Sequence, residues 1–194
     1  MPRDSTDTRH RIETEALRLF VERGADGTSV RDIAQAARVA EGALYRHYVS
    51  KDALVAHLFA TNYTRFAGEL DAAQRAEGTG KGKVRAMVAA FCRFFDADPV
   101  LFRFLLFQQH GQLARLPEDA ATPVTVLHDV MTGAIERREI PRRDPALAAA
   151  WVMGLVLQTA TFAVYGRVTP PLAPLSPEIA EAAWRAVSTP LPAR

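Results

Sequence analysis

The stretch Glu41-Gly42-Ala43-Leu44-Tyr45-Arg46-His47-Tyr48, followed by Lys51, holds the residues whose types and spacing best define a chemistry. That chemistry is non-covalent. Read as a helix at about 100° per residue, Leu44 and Tyr48 fall within roughly 40° of each other and face inward. Gly42, Ala43 and Arg46 lie opposite, flanked by Tyr45 and His47. Two very small residues let a helix backbone approach base edges, a methyl group can touch thymine, and Arg46 can reach a guanine edge or a phosphate. Tyr45, His47 and Lys51 are placed to grip phosphates on the groove walls. Arg31 is a second candidate for a guanine contact. The start of the preceding helix adds the Thr28 and Ser29 hydroxyls and free backbone N–H groups, a phosphate site in outline. An arm with Arg3, Arg9 and Arg11 would add attraction independent of sequence.

Covalent chemistry has weaker support. Cys92 with His110, or His128 with Asp129, could be named as reactive pairs. Cys92, however, sits within Phe91-Cys92-Arg93-Phe94-Phe95, on a helical face expected to be buried, where a thiol is inert. The chain shows no glycine-rich phosphate loop, metal-spaced histidine pair or nucleophile elbow. A single cysteine excludes an intrachain disulfide and a cysteine-rich zinc site. The expectation is therefore a non-enzyme without cofactor or metal, in a reducing cytoplasm. The polar start of the chain shows no secretory signal.

Bulk charge says little about partners. The net charge is +2, and through residue 51 nine Lys/Arg face eight Asp/Glu, so placement must matter more than total. Hydrophobic residues make up 48% of the chain, enough for a substantial core.

The elements that must position these residues read as helices throughout. Ile12, Ala16, Leu19 and Phe20 form one stripe over about 8–22. Ser29 with Asp32 reads as a capping box opening a helix near Val30. A turn at residues 37–39 leads to a helix over about 40–48. Ser50 caps a long fourth helix, and the glycines of residues 77–82 read as a loop after it. Further helices are expected over about 83–97, 99–108, 123–138, 145–166 and 177–188. Asp144-Pro145 and Ser176-Pro177 both read as a cap followed by proline. The uncharged run 145–166 is long enough to cross a bilayer, but its Gln158, Thr159 and Thr161 fit a core helix, and no membrane association is expected.

These residues resemble a known family. Arg11-Ile12, Ala16-Leu17, Leu19-Phe20, Gly24, Thr28-Ser29-Val30, Ile33-Ala34, Ala37, Val39, the run 41–48, Lys51-Asp52 and Leu54 are similar to the DNA-binding domain of the tetracycline-repressor (TetR) family. The similarity covers about residues 9–58. It implies an all-α fold: a three-helix helix-turn-helix domain, residues 1–51, joined by a linking helix to a larger helical dimerisation and ligand-binding domain, residues 52–194. It implies a homodimer on a palindromic double-stranded operator, acting as a repressor released by a small hydrophobic or aromatic effector. It also implies that Tyr45 and Lys51 hold phosphates and that positions 42, 43 and 46 face bases. Two positions depart from the pattern: Arg38 stands where glycine is usual in the turn, and Ala40 where Ser or Thr commonly caps. A regulator without an effector, or a helical adaptor that binds no DNA, are the alternatives.

Beyond residue 58 the sequence is less specific. Two reading heads about 34 Å apart on DNA require two copies. The interface candidates are Ala149, Met153, Leu157 and Thr161 on one helix, and Ile179, Ala183, Trp184 and Val187 on the last. Excess aromatic bulk suggests an apolar pocket with polar anchors. Its candidates are Phe91, Phe95, Phe104, Phe107, His110, His128, Trp151, Gln158 and Phe162.

Overall fold

Where several of the helices begin is set by side chains that accept the first free N–H groups. The computed structural model describes residues 5–190, so Arg3 of the expected arm lies outside them. Among the described residues the regular elements are α1 (Ser5–Arg23), α2 (Val30–Ala36), α3 (Glu41–His47), α4 (Lys51–Arg75), α5 (Gly80–Ala97), α6 (Pro99–Gln112), α7 (Pro123–Glu136), α8 (Pro145–Val164) and α9 (Ser176–Ser188). Short 3-10 turns occur at Leu113–Arg115 and Ala173–Leu175. Ser29 and Asp32 form the expected reciprocal box at α2. Thr122 and Thr125 do the same at α7, and Asp144 caps α8 with proline at its first turn.

Two starts differ from the sequence reading. The glycines at 80 and 82 are not loop residues; Thr79 caps α5, and both lie in its first turn. Gly80 is there because of close approach: a Cβ would meet Ala134 Cβ at 2.8 Å and the Trp184 ring at 3.1 Å. Its N–H donates to the Glu139 carboxylate. Ser176 is not a cap either. Its hydroxyl donates back to the Ala173 carbonyl at 2.7 Å, and α9 continues directly from the 3-10 turn.

Packing sorts the chain into two units. One comprises the residues through 62 with 100–118; the other comprises 63–99 and the residues from 119 on. In the first, α1 packs on α2 and α3, and α2 on α3. The stripe Ile12, Ala16, Leu19, Phe20 is buried, and the Phe20 ring stacks on Phe104 of α6 at 6.1 Å. In the second, α5 packs on α7, α8 and α9, and α8 on α7 and α9. Val84, Val88, Cys92, Met131, Val152, Ala160, Ala183 and Val187 form its core. α4 begins at Lys51, so the boundary expected at residue 51 falls at the start of that helix, while the packing units divide within it at residues 62–63.

Candidate nucleic-acid interface

The turn between α2 and α3 fixes where α3 points. Arg38 takes φ +56°, with its N–H to Gln35 O and the Val39 N–H to Ala34 O. This is a Schellman closure with arginine at the position that usually favours glycine. Ala40 opens α3 without a side-chain cap, as its methyl group requires. Leu44 is fully buried and Tyr48 nearly so, and they seat α3 against the first unit. Gly42, Tyr45 and Arg46 are exposed, while Ala43 and His47 are half-buried. A Cβ on Gly42 would meet nothing within 4 Å, so nothing inside the chain demands a glycine there.

The cations divide into paired and unpaired sets. Arg9 pairs with Glu13 at 2.8 Å, Arg11 with Asp7 at 3.4 Å, and Arg18 with both Glu15 and Glu22 at 2.9 Å. Arg9 and Arg11 are thus residues of α1 engaged along its surface and do not form a free arm. Arg31 and Arg46 are exposed and have no ion-pair partner among the described residues.

Three of the expected contact residues are engaged within the chain. Thr28 is 1% exposed; its hydroxyl donates to Gly24 O at 2.8 Å and to Leu19 O at 3.3 Å, so it fastens the end of α1 and faces no phosphate. The Ser29 hydroxyl is committed to Asp32, and the Ser29 N–H donates to the Asp32 carboxylate at 2.9 Å. Those hydrogen bonds hold the Asp32 carboxyl below its ordinary pKa, and the resulting anion opposes a phosphate at this helix start. Lys51 Nζ donates to Ala25 O at 2.5 Å and Thr28 O at 2.9 Å. It ties the start of α4 to the α1–α2 loop. Arg31, Gly42, Ala43, Tyr45, Arg46 and His47 remain as the outward set.

The proposed effector residues do not converge. Phe91 lines an apolar slot of about 30 Å³ with Leu70, Met87, Leu127, Val152 and Met153. Phe95 is buried outside that lining. Phe104 is core in the first unit, where Phe107 and His110 are exposed. His128 lies 3.6 Å from Asp129 on the surface of α7. Trp151, Gln158 and Phe162 line an open face of α8 with Leu155. The slot therefore lacks the expected polar anchors. Its aliphatic lining carries no signal distinguishing it from core.

Of the expected interface residues, Ala149, Ala183, Trp184 and Val187 are buried within the second unit, whereas Met153, which also lines the slot, Leu157, Thr161 and Ile179 are half-buried and stay open to a partner. The most exposed large apolar residues there are Leu147, Leu155 and Phe162 of α8 and Tyr165 just after it. Cys92 is fully buried, and burial followed by the nearby Asp96 charge pushes its thiol up to about 11, the opposite of what a nucleophile needs.

The sequence pattern of the bacterial regulatory proteins, tetR family, matches residues 12–58. The MftR regulator of Mycobacterium tuberculosis is 33% identical over 101 residues, 52% of this chain and 50% of that protein. The repressor KstR2 of Rhodococcus jostii is 45% identical over 58 residues, 28% of each chain. The chain thus aligns with half or less of the length of these relatives. Across the whole fold, FadR of Bacillus subtilis, solved with stearoyl-CoA, superposes with a TM-score of 0.75 at 19% identity, covering 92% of this chain and 99% of that one. A tetR-family regulatory protein from Rhodococcus RHA1 gives a TM-score of 0.78 at 17% identity, covering 95% and 98%. The helix-turn-helix segment of residues 12–58 is thus similar to that of bacterial regulatory proteins of the tetR family, and the all-helical fold is shared with solved regulators of that family.

Proposed function

We propose that the protein is a DNA-binding transcriptional repressor that works as a homodimer, each copy laying the outward side of α3 in the major groove. The observation that carries this reading is the composition of that side. An exposed glycine with open space above it and a half-buried alanine stand beside an unpaired Arg46 and an exposed Tyr45. Small residues permit close backbone approach, while arginine supplies base or phosphate contact. The exposed apolar face of α8 supports the dimer: Leu147, Leu155 and Phe162, with Tyr165 just after the helix, remain 40–63% exposed in a single copy.

The effector reading becomes narrower. A slot lined only by apolar side chains suits a hydrocarbon chain, because each unpaired polar group buried there would cost roughly 2–7 kcal/mol. Stearoyl-CoA, the ligand named for the Bacillus subtilis relative, carries such a chain. At about 30 Å³ the slot admits a chain only when Met87 and Met153 swing aside, a motion that flexible thioethers permit. The same small volume favours a second reading, a regulator that holds DNA without an effector.

Gel-shift titration on the DNA upstream of its own gene tests this. The wild-type protein shifts the fragment, Arg46→Ala/Tyr45→Ala loses the shift while remaining folded, and stearoyl-CoA releases the wild-type complex. Unchanged binding by the double variant would refute the assigned face. Binding that stearoyl-CoA leaves intact favours the effector-free reading.

A further inference from the structure

α3 has little of its own to hold it still. It is seven residues long, its Ala40 cap offers no hydrogen bond, and Leu44 is its one buried residue. A helix this short is not stable alone, so its orientation must come from contacts. Leu44 supplies a pivot. A second fixed point comes just past the helix end, at Tyr48, where the backbone turns extended and its N–H returns to Leu44 O.

The Tyr48 ring is buried, and a buried hydroxyl must be paired. It donates to the Glu13 carboxylate of α1. Arg9, one turn earlier, donates Nε to the same Glu13 oxygen at 2.8 Å and to the Tyr48 hydroxyl at 3.2 Å. The other end of its guanidinium, Nη2, lies 2.8 Å from His57 Nε2 of α4. His57 Nε2 stands 3.4 Å from the same Glu13 oxygen, and its ring lies 5.4 Å from that of Tyr48. One carboxylate oxygen therefore gathers α1, the end of α3 and α4, all within the first unit.

We infer that Glu13, with Arg9 and His57, is a positioning set that clamps Tyr48 and so fixes the angle at which α3 presents Arg46 and Tyr45. The inference rests on the DNA-binding reading above. With the clamp, α3 is held at two points; without it, the last turn pivots on Leu44 and the outward residues lose register with the groove. Charges support the geometry. Partial burial of Glu13 opposes ionisation, but hydrogen bonds from Tyr48 and Arg9, then the charges of Arg9 and His57, keep its carboxyl below the ordinary value.

The test compares Tyr48→Phe, which keeps the ring and loses the hydroxyl, with Glu13→Ala, Glu13→Gln and the double variant Tyr48→Phe/Glu13→Ala. Each of Tyr48→Phe and Glu13→Ala weakens binding to the upstream fragment by about 10-fold, and the double variant by little more, because both cut the same link. Glu13→Gln, which can still accept from the hydroxyl, recovers most of the loss. Hydrogen exchange of the amides at residues 44–48 quickens by about 10-fold in Tyr48→Phe, while α2 and α7 are unchanged. Additive losses, or exchange that quickens evenly through α1–α4, would overturn the clamp and indicate plain destabilisation. Unchanged exchange at 44–48 overturns it as well, whether or not DNA is bound. Absence of DNA binding by the wild-type protein would instead refute the functional reading, and the exchange measurement would still decide the clamp.

Discussion

Arg46 and Arg31, like Arg23 and Arg38, are exposed without an ion-pair partner among the described residues, whereas several cations of α1 are engaged. Arg9, Arg11 and Arg18 are matched to acids three or four residues away on α1. Lys51 is the instructive residue. Its place in the family pattern implies a phosphate contact, yet its ammonium meets two backbone carbonyls of the α1–α2 loop. That contact joins residues more than twenty positions apart in the chain, and no local pattern encodes it. Thr28 is the same case: its type suits a phosphate, but its direction is set by the end of α1. Lys51→Ala is therefore expected to lower stability by about 1.5–3 kcal/mol, the range for hydrogen bonds from a charged donor. Thermal unfolding checks this, and a melting temperature equal to wild type would return Lys51 to the phosphate-binding set.

At the scale of elements, the reading unit was largely legible. Ser29 and Asp32 announce the start of α2, Asp144-Pro145 that of α8, and the stripe from Ile12 to Phe20 the inner face of α1, because caps and periodicity are local. The glycines at 80 and 82 misled for the opposite reason. Gly80 answers to Ala134 and Trp184, far away in sequence. The α2–α3 turn carries strain that the sequence also announced: Arg38 holds φ +56°. Arg38→Gly relieves a left-handed non-glycine residue and should raise stability by about 1 kcal/mol. Ala40→Ser adds the missing cap for on the order of 1 kcal/mol more. Denaturant unfolding of the single and double variants measures both; a loss of stability in Arg38→Gly would mean the arginine side chain holds the turn.

At the scale of the whole molecule, α8 marks where the sequence stopped being informative. It is uncharged and long and hydrophobic enough to span a bilayer by composition alone, and its few polar residues, Gln158, Thr159 and Thr161, are too few to mark an outer face along its length. The expected interface residues turned out to include core, and several expected pocket aromatics lie on the open face. Placing charge on that face, as in Leu155→Glu/Phe162→Glu, is expected to give a folded monomer in sedimentation equilibrium and to abolish operator binding. A double variant that stays dimeric would move the interface elsewhere. The central claim, that paired copies of α3 read one DNA site, is tested most directly by nuclease footprinting of the full protein on its own upstream DNA. The account predicts two protected half-sites about one helical turn, ~34 Å, apart, both lost together in Arg46→Ala/Tyr45→Ala. A single unpaired protected stretch, or a footprint that the double variant preserves, would contradict it.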